Sequence, residues 1–206
     1  MKKLTVLAFA MSLSLPAMAE HNVIDGVDFG PLAQLVGSWT SGGMGGVDMA
    51  PAQENSGVEA GTPAITPFYE TMTFELAADA TNASKQNLVA VYYKQEVFRK
   101  KDDSKFHDQR GYLIYDAENQ LVYNSFCVPR TTCVTAESPA GNNMTFVAAK
   151  RGIAESNFMT ENASTTSFTM NLNIDGDKLT YSQSTGLNIY NKSLVHTDSS
   201  TLQRVK

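Results

Sequence analysis

The chain has 206 residues, a net charge of −5 and 18% charged residues. An acidic chain without a run of Lys or Arg is a poor candidate for binding nucleic acid or an anionic membrane. Its length suffices for one domain with a substantial core, and abundant Thr, Ser, Asn and Gly favour sheets and turns over helices.

The first elements are those of a secretory signal peptide. A Met-Lys-Lys start precedes an apolar run at residues 4–15, and small residues at Ala17 and Ala19 form a cleavage site. The run is shorter than the roughly 20 residues of a membrane-spanning helix, so an uncleaved anchor is the weaker alternative. We therefore expect a signal peptide at residues 1–19, export to the periplasm or medium, and a mature chain without a membrane segment.

The segment at residues 20–34 leads into the domain, with one modest helix candidate at residues 29–36. Residues 66–76 then alternate, with Phe68, Glu70, Met72, Phe74 and Leu76 on one face. Further strands are predicted at residues 88–98, 106–115, 120–128, 144–149, 158–163, 165–174, 178–183 and 194–205. Between the first strand and residue 65, Gly and Pro are frequent, which predicts a long, dispensable loop at residues 43–64.

The two cysteines, Cys127 and Cys133, flank a turn centred on Pro129 and Arg130. A hairpin folded about Arg130 places the two sulfur atoms opposite each other across the strands. In an oxidising compartment this spacing predicts a structural disulfide.

Roughly ten short antiparallel strands in one domain favour a closed barrel, because closure removes exposed sheet edges. The fold class is therefore all-β: a single antiparallel β-barrel over residues 35–206. A two-sheet sandwich is the alternative.

The histidines are the main candidates for chemistry. His21 follows the expected cleavage site, whereas His107 and His196 lie within predicted strands. The simplest interpretation is that both strand histidines are polar residues without a functional role.

A set of short motifs, in order along the chain, changes that interpretation. Its residues include Gly37, Trp39, Glu70, Tyr93, Gln95, His107, Gly111, Tyr112, Leu179, Tyr181, His196, Leu202 and Arg204. With these residues the chain resembles the nitrobindin family of haem-binding, fatty-acid-binding-protein-like barrels. That family has an opening Gly-x-Trp strand, then Tyr-x-Glu, Tyr-x-Gln, Met-His-x-Glu-x-Gly-Tyr and a closing Leu-x-Tyr … His-Leu-x-Ala-x-Leu-x-Arg segment.

The resemblance implies that haem b is bound, with His196 as the proximal iron ligand and His107 on the opposite wall. It also implies reversible nitric-oxide binding and, if the protein is an enzyme, isomerisation of peroxynitrite to nitrate. Neutral imidazole is a good ligand for iron, and a ten-strand barrel has an interior wide enough for a ligand.

Two departures from the family pattern bear on the site. About twenty extra residues lie between Gly46 and Ile65, and after His196 the apolar residue comes at Leu202, one place late. A one-residue slip moves side chains to the other face of a strand, so either a bulge absorbs it or the ligand geometry is altered.

Two other functions are compatible with the sequence. One is an iron-free carrier of a fatty acid or other small apolar ligand, which would use an inward Arg110 or Tyr181 to hold a carboxylate. The other is a ligand-free envelope protein whose surface binds a partner.

Overall fold

The computed structural model describes residues 22–206, so the signal peptide expected at residues 1–19 and His21 lie outside the described residues. A 3-10 helix (Gly30–Gln34) precedes the third strand, and a short α-helix, α1 (Asn157–Asn162), precedes the twelfth. The strands are β1 (Val23–Ile24), β2 (Val27–Asp28), β3 (Gly37–Thr40), β4 (Gly46–Pro51), β5 (Pro63–Leu76), β6 (Ala80–Asn82), β7 (Gln86–Arg99), β8 (Lys105–Asp116), β9 (Leu121–Val128), β10 (Thr132–Pro139), β11 (Asn143–Glu155), β12 (Ala163–Asp175), β13 (Lys178–Ile189) and β14 (Lys192–Arg204). Between residues 22 and 206, helices with the length and apolar character needed to cross a membrane are absent.

The strands close into one antiparallel barrel. Strands β7 to β14 are neighbours in chain order, and β5 pairs with β7. Both β3 and β4 pair with β5 on one side and with β14 on the other, so together they close the ring. Since β3 and β4 share one position in the wall, the barrel has ten strand positions. The predicted all-β closed barrel is confirmed.

Strands β3 and β4 are two halves of one barrel strand, interrupted by residues 41–45. Thr40 is paired with Thr71 and Gly46 with Phe68, so five residues stand opposite two of β5. The hydroxyl of Ser41 accepts the backbone N–H of the intervening Glu70 at 2.8 Å. Together with the bond from the Ser41 backbone N–H to the Glu70 carbonyl at 3.1 Å, this contact joins the two strands at the bulge.

Strand β4 corrects the expectation that residues 43–64 form one long loop. The turn covers only residues 52–62, and Gly46–Pro51 belongs to the barrel wall. Alternation along β4 turns Asp48 inward, where it is 6% exposed. The frequent Gly and Pro residues suggested a loop, but within this strand they occupy only its two ends, Gly46 and Pro51; the others lie outside it.

Helix α1 corrects the strand predicted at residues 158–163. The side chain of Ser156 accepts a hydrogen bond from the backbone N–H of Met159 at 3.3 Å, which caps the first turn of the helix. Met159 is buried. The helix predicted at residues 29–36 is present in part, as the tighter 3-10 helix.

Apolar side chains fill the end of the barrel at β3, which the 3-10 helix covers and which we call the closed end. Leu32, Leu35 and Trp39 are wholly buried there. The indole Nε1 of Trp39 donates to the Leu35 carbonyl at 2.7 Å, and the Arg204 guanidinium lies 4.2 Å from the centre of the Trp39 ring. The opposite end, with α1 and the β9–β10 turn, is the open end.

The predicted disulfide is confirmed. Cys127 on β9 and Cys133 on β10 are direct register partners, and their sulfur atoms are bonded. The bond joins the two strands of the hairpin at the open end.

Candidate functional site

Both strand histidines face the barrel interior. His196 on β14 belongs to the same alternating set as the buried Ser200 and Leu202. His107 on β8 belongs to the same set as the buried Gln109. Alternating burial along the two strands therefore locates both imidazoles inside the barrel, an orientation that the sequence had left open.

The one-residue offset in the closing segment is not absorbed by a bulge, because β13 and β14 pair without a register shift from end to end. Counting back from Leu202 and Arg204 by the family's spacing leads to Thr197. This residue is the neighbour of His196, on the opposite face of the strand. The assignment of His196 as the iron ligand therefore stays a prediction.

His196 is held between two carboxylates. Its Nε2 lies 2.5 Å from Oδ1 of Asp48 and 3.2 Å from Oδ1 of Asp198. On the far side, Gln183 of β13 donates a hydrogen bond from Nε2 to Oδ2 of Asp198 at 2.7 Å. We call the first three residues the Asp48–His196–Asp198 triad.

Neither aspartate was identified as a site residue from the sequence. Asp48 could not be recognised as a site residue, because the frequent Gly and Pro residues around it predict a loop. Asp198 was identifiable, since a His-x-Asp spacing in a strand puts both side chains on one face.

Burial and hydrogen bonding oppose each other within the triad. Burial favours neutral imidazole, but hydrogen bonds to Asp198 and Asp48 outweigh it and raise the pKa of His196 to about 10. Burial raises the pKa of Asp48 to about 6. For Asp198, burial is overcome by hydrogen bonding, first of all with His196, and the pKa falls to about 2. Near neutral pH an imidazolium therefore faces two carboxylates.

His107, in contrast, is an imidazole with a free nitrogen. Its Nε2 is buried and has no hydrogen-bond partner among residues 22–206. Burial lowers the pKa of His107, which favours the neutral ring that binds metals. The side chain lines an internal cavity of about 20 Å³ that Asp48 and Asp198 also line, large enough for one water molecule.

His107 also lines a cleft of about 310 Å³ at the open end. The other residues of this cleft are Lys105, Phe106, Asp108, Val128, Pro129 and Arg130. Apolar surface and two cationic side chains thus lie beside the buried imidazole.

A second buried carboxyl group lies deeper in the barrel, at Glu70. Its Oε2 accepts hydrogen bonds from Gln95 Nε2 at 2.6 Å and from the Tyr181 hydroxyl at 3.1 Å. Burial raises the pKa of this carboxyl, which is 0% exposed. The sequence had placed Glu70 on an otherwise apolar strand face with Phe68 and Met72, a signal for such a buried polar group.

Among the residues at the open end, His107 offers a nitrogen donor that fits a haem iron. Its Nε2 is free, whereas Nε2 of His196 is engaged by Asp48 and Asp198. The internal cavity of about 20 Å³ is far smaller than a porphyrin. A porphyrin therefore requires the side chains between the cleft and this cavity to move apart.

Neither of the two residues suggested for a carboxylate carrier, Arg110 and Tyr181, is free to hold a carboxylate inside the barrel. Tyr181 faces inward, but its hydroxyl is bonded to Glu70, whose carboxyl disfavours a second carboxylate nearby. Arg110 lies on the other face of β8, where its Nη1 is 2.7 Å from Oδ1 of Asp108.

A family of haem-binding β-barrel domains matches this chain. The model of the THAP4-like, heme-binding beta-barrel domain family matches residues 28–204. Among twelve solved chains that match is the crystal structure of Rv2717c from M. tuberculosis, with a TM-score of 0.56 and 18% identity. That alignment covers 85% of this chain and 95% of the other, and it shows a common fold. Among curated proteins, none matches significantly.

Proposed function

Because the chain belongs to the family of THAP4-like, haem-binding β-barrel domains, we propose that it binds haem b at the open end of the barrel, with His107 on the iron. The observation that carries this proposal is the buried, unpartnered Nε2 of His107 beside the cleft. A buried polar atom without a partner is costly, so a ligand at this nitrogen offsets the cost.

The cleft residues supply the remaining recognition. Phe106, Val128 and Pro129 offer apolar surface to a porphyrin ring and exclude water from it. Arg130 carries positive charge for a propionate group, whereas Lys105 in the same cleft is already paired with Glu96 at 2.5 Å and with Asp108 at 3.4 Å. Haem is an amphipathic dianion, so its binding requires both apolar surface and positive charge.

The choice of iron ligand differs from the one that the family resemblance implies. His196 must break its contacts with Asp48 and Asp198 before its Nε2 reaches an iron, and this leaves two carboxylates without their imidazole. Nε2 of His107 has no such contact to lose. Geometry therefore favours His107, and His196 is the competing assignment.

Bound haem would supply an iron that takes up nitric oxide and isomerises peroxynitrite to nitrate, the chemistry implied by the resemblance. The barrel keeps bulk water from the inner side of His107, which lines a cavity sized for one water molecule. We further propose that the protein works in the periplasm or outside the cell. The signal peptide pattern of residues 1–19 and the Cys127–Cys133 disulfide support this location.

Haemin titration tests the function and the ligand together. Wild-type protein should bind one haemin with a shifted Soret band, His107→Ala should lose at least tenfold in affinity, and His196→Ala should keep the band. The reverse result for the two variants would restore His196 as the ligand. If the wild type binds no haemin, a fluorescent fatty acid then tests the alternative of an iron-free apolar carrier.

Stopped-flow absorbance of the haem-loaded protein, which monitors nitric oxide uptake and peroxynitrite decay, tests whether the bound haem binds nitric oxide and isomerises peroxynitrite. Decay that is no faster than with free haemin would remove the enzymatic part of the proposal and leave haem binding intact.

A further inference from the structure

We propose that the outer wall of the barrel carries a binding site for an extended, uncharged oligosaccharide, separate from the haem site inside. A groove of about 580 Å³ crosses strands β11, β12, β13 and β14 and ends at β4 and the bulge before it. We call it the outer groove. Among the residues that the structure describes, all those that line the outer groove are uncharged. The class of ligand follows from this composition and from the arrangement of the hydroxyl and amide groups.

One row of side chains crosses five strands without a break. Its members, each the register partner of the next, are Thr145, Asn171, Ser182, Ser199 and Val47. All five are exposed, in strands that alternate between buried and exposed positions, so the row lies on the outer face of the barrel. Neighbouring strands are about 4.8 Å apart, so the row is about 19 Å long. The outer groove therefore suits a ligand that is extended rather than compact.

A second row runs parallel to the first, two residues further along each strand. Its members, again register partners in turn, are Asn143, Asn173, Thr180 and Thr201. Residues two apart in a strand are separated by about 6.8 Å, which leaves room between the rows for a chain one sugar ring wide. The next pair along the β12–β13 hairpin is charged, since Asp175 is the register partner of Lys178. This pair marks the end of the neutral surface.

Hydrogen bonds within the rows fix the direction of their polar groups. The Thr145 hydroxyl donates to Oδ1 of Asn171 at 2.9 Å, and Nδ2 of Asn171 donates to the Ser182 hydroxyl at 3.4 Å. In the second row, Nδ2 of Asn173 donates to Oδ1 of Asn143. Each of these side chains keeps further capacity, because an amide has two N–H groups and a hydroxyl both donates and accepts. Groups that are already held in place lose less conformational entropy when a ligand binds.

The chemistry of the outer groove matches a neutral polyol. Its hydroxyl and amide groups both donate and accept hydrogen bonds, as the hydroxyl groups of a sugar do. An ionic ligand requires opposite charge, which the residues of the groove do not supply. At the β4 end, the exposed side chains of Met44 and Val47 offer apolar surface to the C–H face of a sugar ring. Successive rings of an extended β-linked glycan repeat at nearly the spacing of neighbouring strands, so each ring meets one strand.

Chitotetraose and cellotetraose, both neutral and β-linked, are the probes. In calorimetric titration of the full-length mature protein, at least one of them should bind at one site per chain, with the same affinity at low and high salt. Asn171→Ala and Thr180→Ala should each weaken binding by about five- to tenfold, the loss expected for one or two hydrogen bonds. Asn87→Ala on β7 is the matched control and should bind as the wild type does. Like Asn171, Asn87 is exposed and accepts a hydrogen bond from a threonine hydroxyl, that of Thr81 at 3.0 Å.

Backbone amide shifts in the NMR spectrum of the labelled wild type locate the sugar. Shifts confined to β4 and to strands β11 to β14 support the proposal. Shifts centred elsewhere, no binding of either tetrasaccharide, or wild-type affinity in both the Asn171 and the Thr180 variant overturn it. Should a variant fail to fold, the location of the wild-type shifts decides the question alone. Binding or loss of haemin does not alter these expectations, because the outer groove lies outside the barrel.

Discussion

Asp48 and Asp198 are direct register partners across β4 and β14, and Nε2 of His196 contacts a carboxylate oxygen of each. Like charges placed directly opposite in a sheet destabilise the pairing. The imidazolium of His196 offsets that repulsion at the seam where the barrel closes. The stability of this seam therefore depends on the same three side chains.

Replacing His196 by Gln should destabilise the barrel at pH 7 by about 3 kcal/mol, because two buried carboxylates lose their cation. The pH dependence of this stabilisation by His196 has a definite sign. The folded-state pKa of about 10 lies above the ordinary histidine value of 6.5, so the stabilisation is complete below pH 6.5 and is lost as the pH rises through 10.

Urea unfolding at pH 7 and pH 10 measures this effect. The gap in unfolding free energy between wild type and His196→Gln should shrink at the higher pH. Burial raises the pKa of Asp48 from its ordinary value of 3.8 to about 6, so this group titrates below the pH range of the comparison. His107→Gln is the matched control, because a lowered pKa gives no such slope above pH 7. A gap that is constant with pH would mean that His196 is neutral in the folded protein.

Removal of the disulfide should cost about 2 kcal/mol, since the bond closes a loop of seven residues in the unfolded chain. Cys127→Ser/Cys133→Ser should unfold at lower urea concentration than oxidised wild type and be insensitive to reductant. Thiol titration of denatured, unreduced wild type should find no free sulfhydryl. Two reactive thiols in exported protein would contradict the assigned bond.

Shortening the β4–β5 turn should have little effect, whereas altering β4 itself should open the barrel. Residues 54–58 are exposed, and the closure entropy of a loop changes slowly with its length. Deleting them should therefore shift the urea midpoint only slightly. Replacing residues 46–51 with a Gly-Ser segment should remove the wall between β5 and β14 and abolish cooperative unfolding. Equal stability of the two variants would show that β4 is dispensable.

Local patterns accounted for most of the barrel. Alternation located the inner face of β5, and Phe68 to Phe74 follow it as predicted, although Leu76 at the strand end is 43% exposed. The hairpin about Arg130 also follows from local spacing. These features depend on residues that are close together in the chain.

The contact between His196 and Asp48 could not be predicted from the sequence. Asp48 reaches His196 only because an interrupted strand is inserted between β5 and β14, and that register depends on contacts 148 residues apart in sequence. The short helix α1 was missed for a related reason. Its apolar and β-branched residues resemble a strand, and the cap at Ser156 outweighs that tendency.

The split wall strand also has a consequence for how the chain reaches its native state. Neighbours in the meander β7 to β14 pair locally, but β3 and β4 find their second partner only when β14 is available. Pairings this distant slow folding, because the entropy of a long loop is lost before the contact forms. During folding, the edge of β4 stays unpaired until the last strand is available, whereas the two strands of the disulfide hairpin are adjacent in the chain. A chain shortened by β14 would be an open sheet with two unpaired edges, prone to aggregate, and not a smaller barrel.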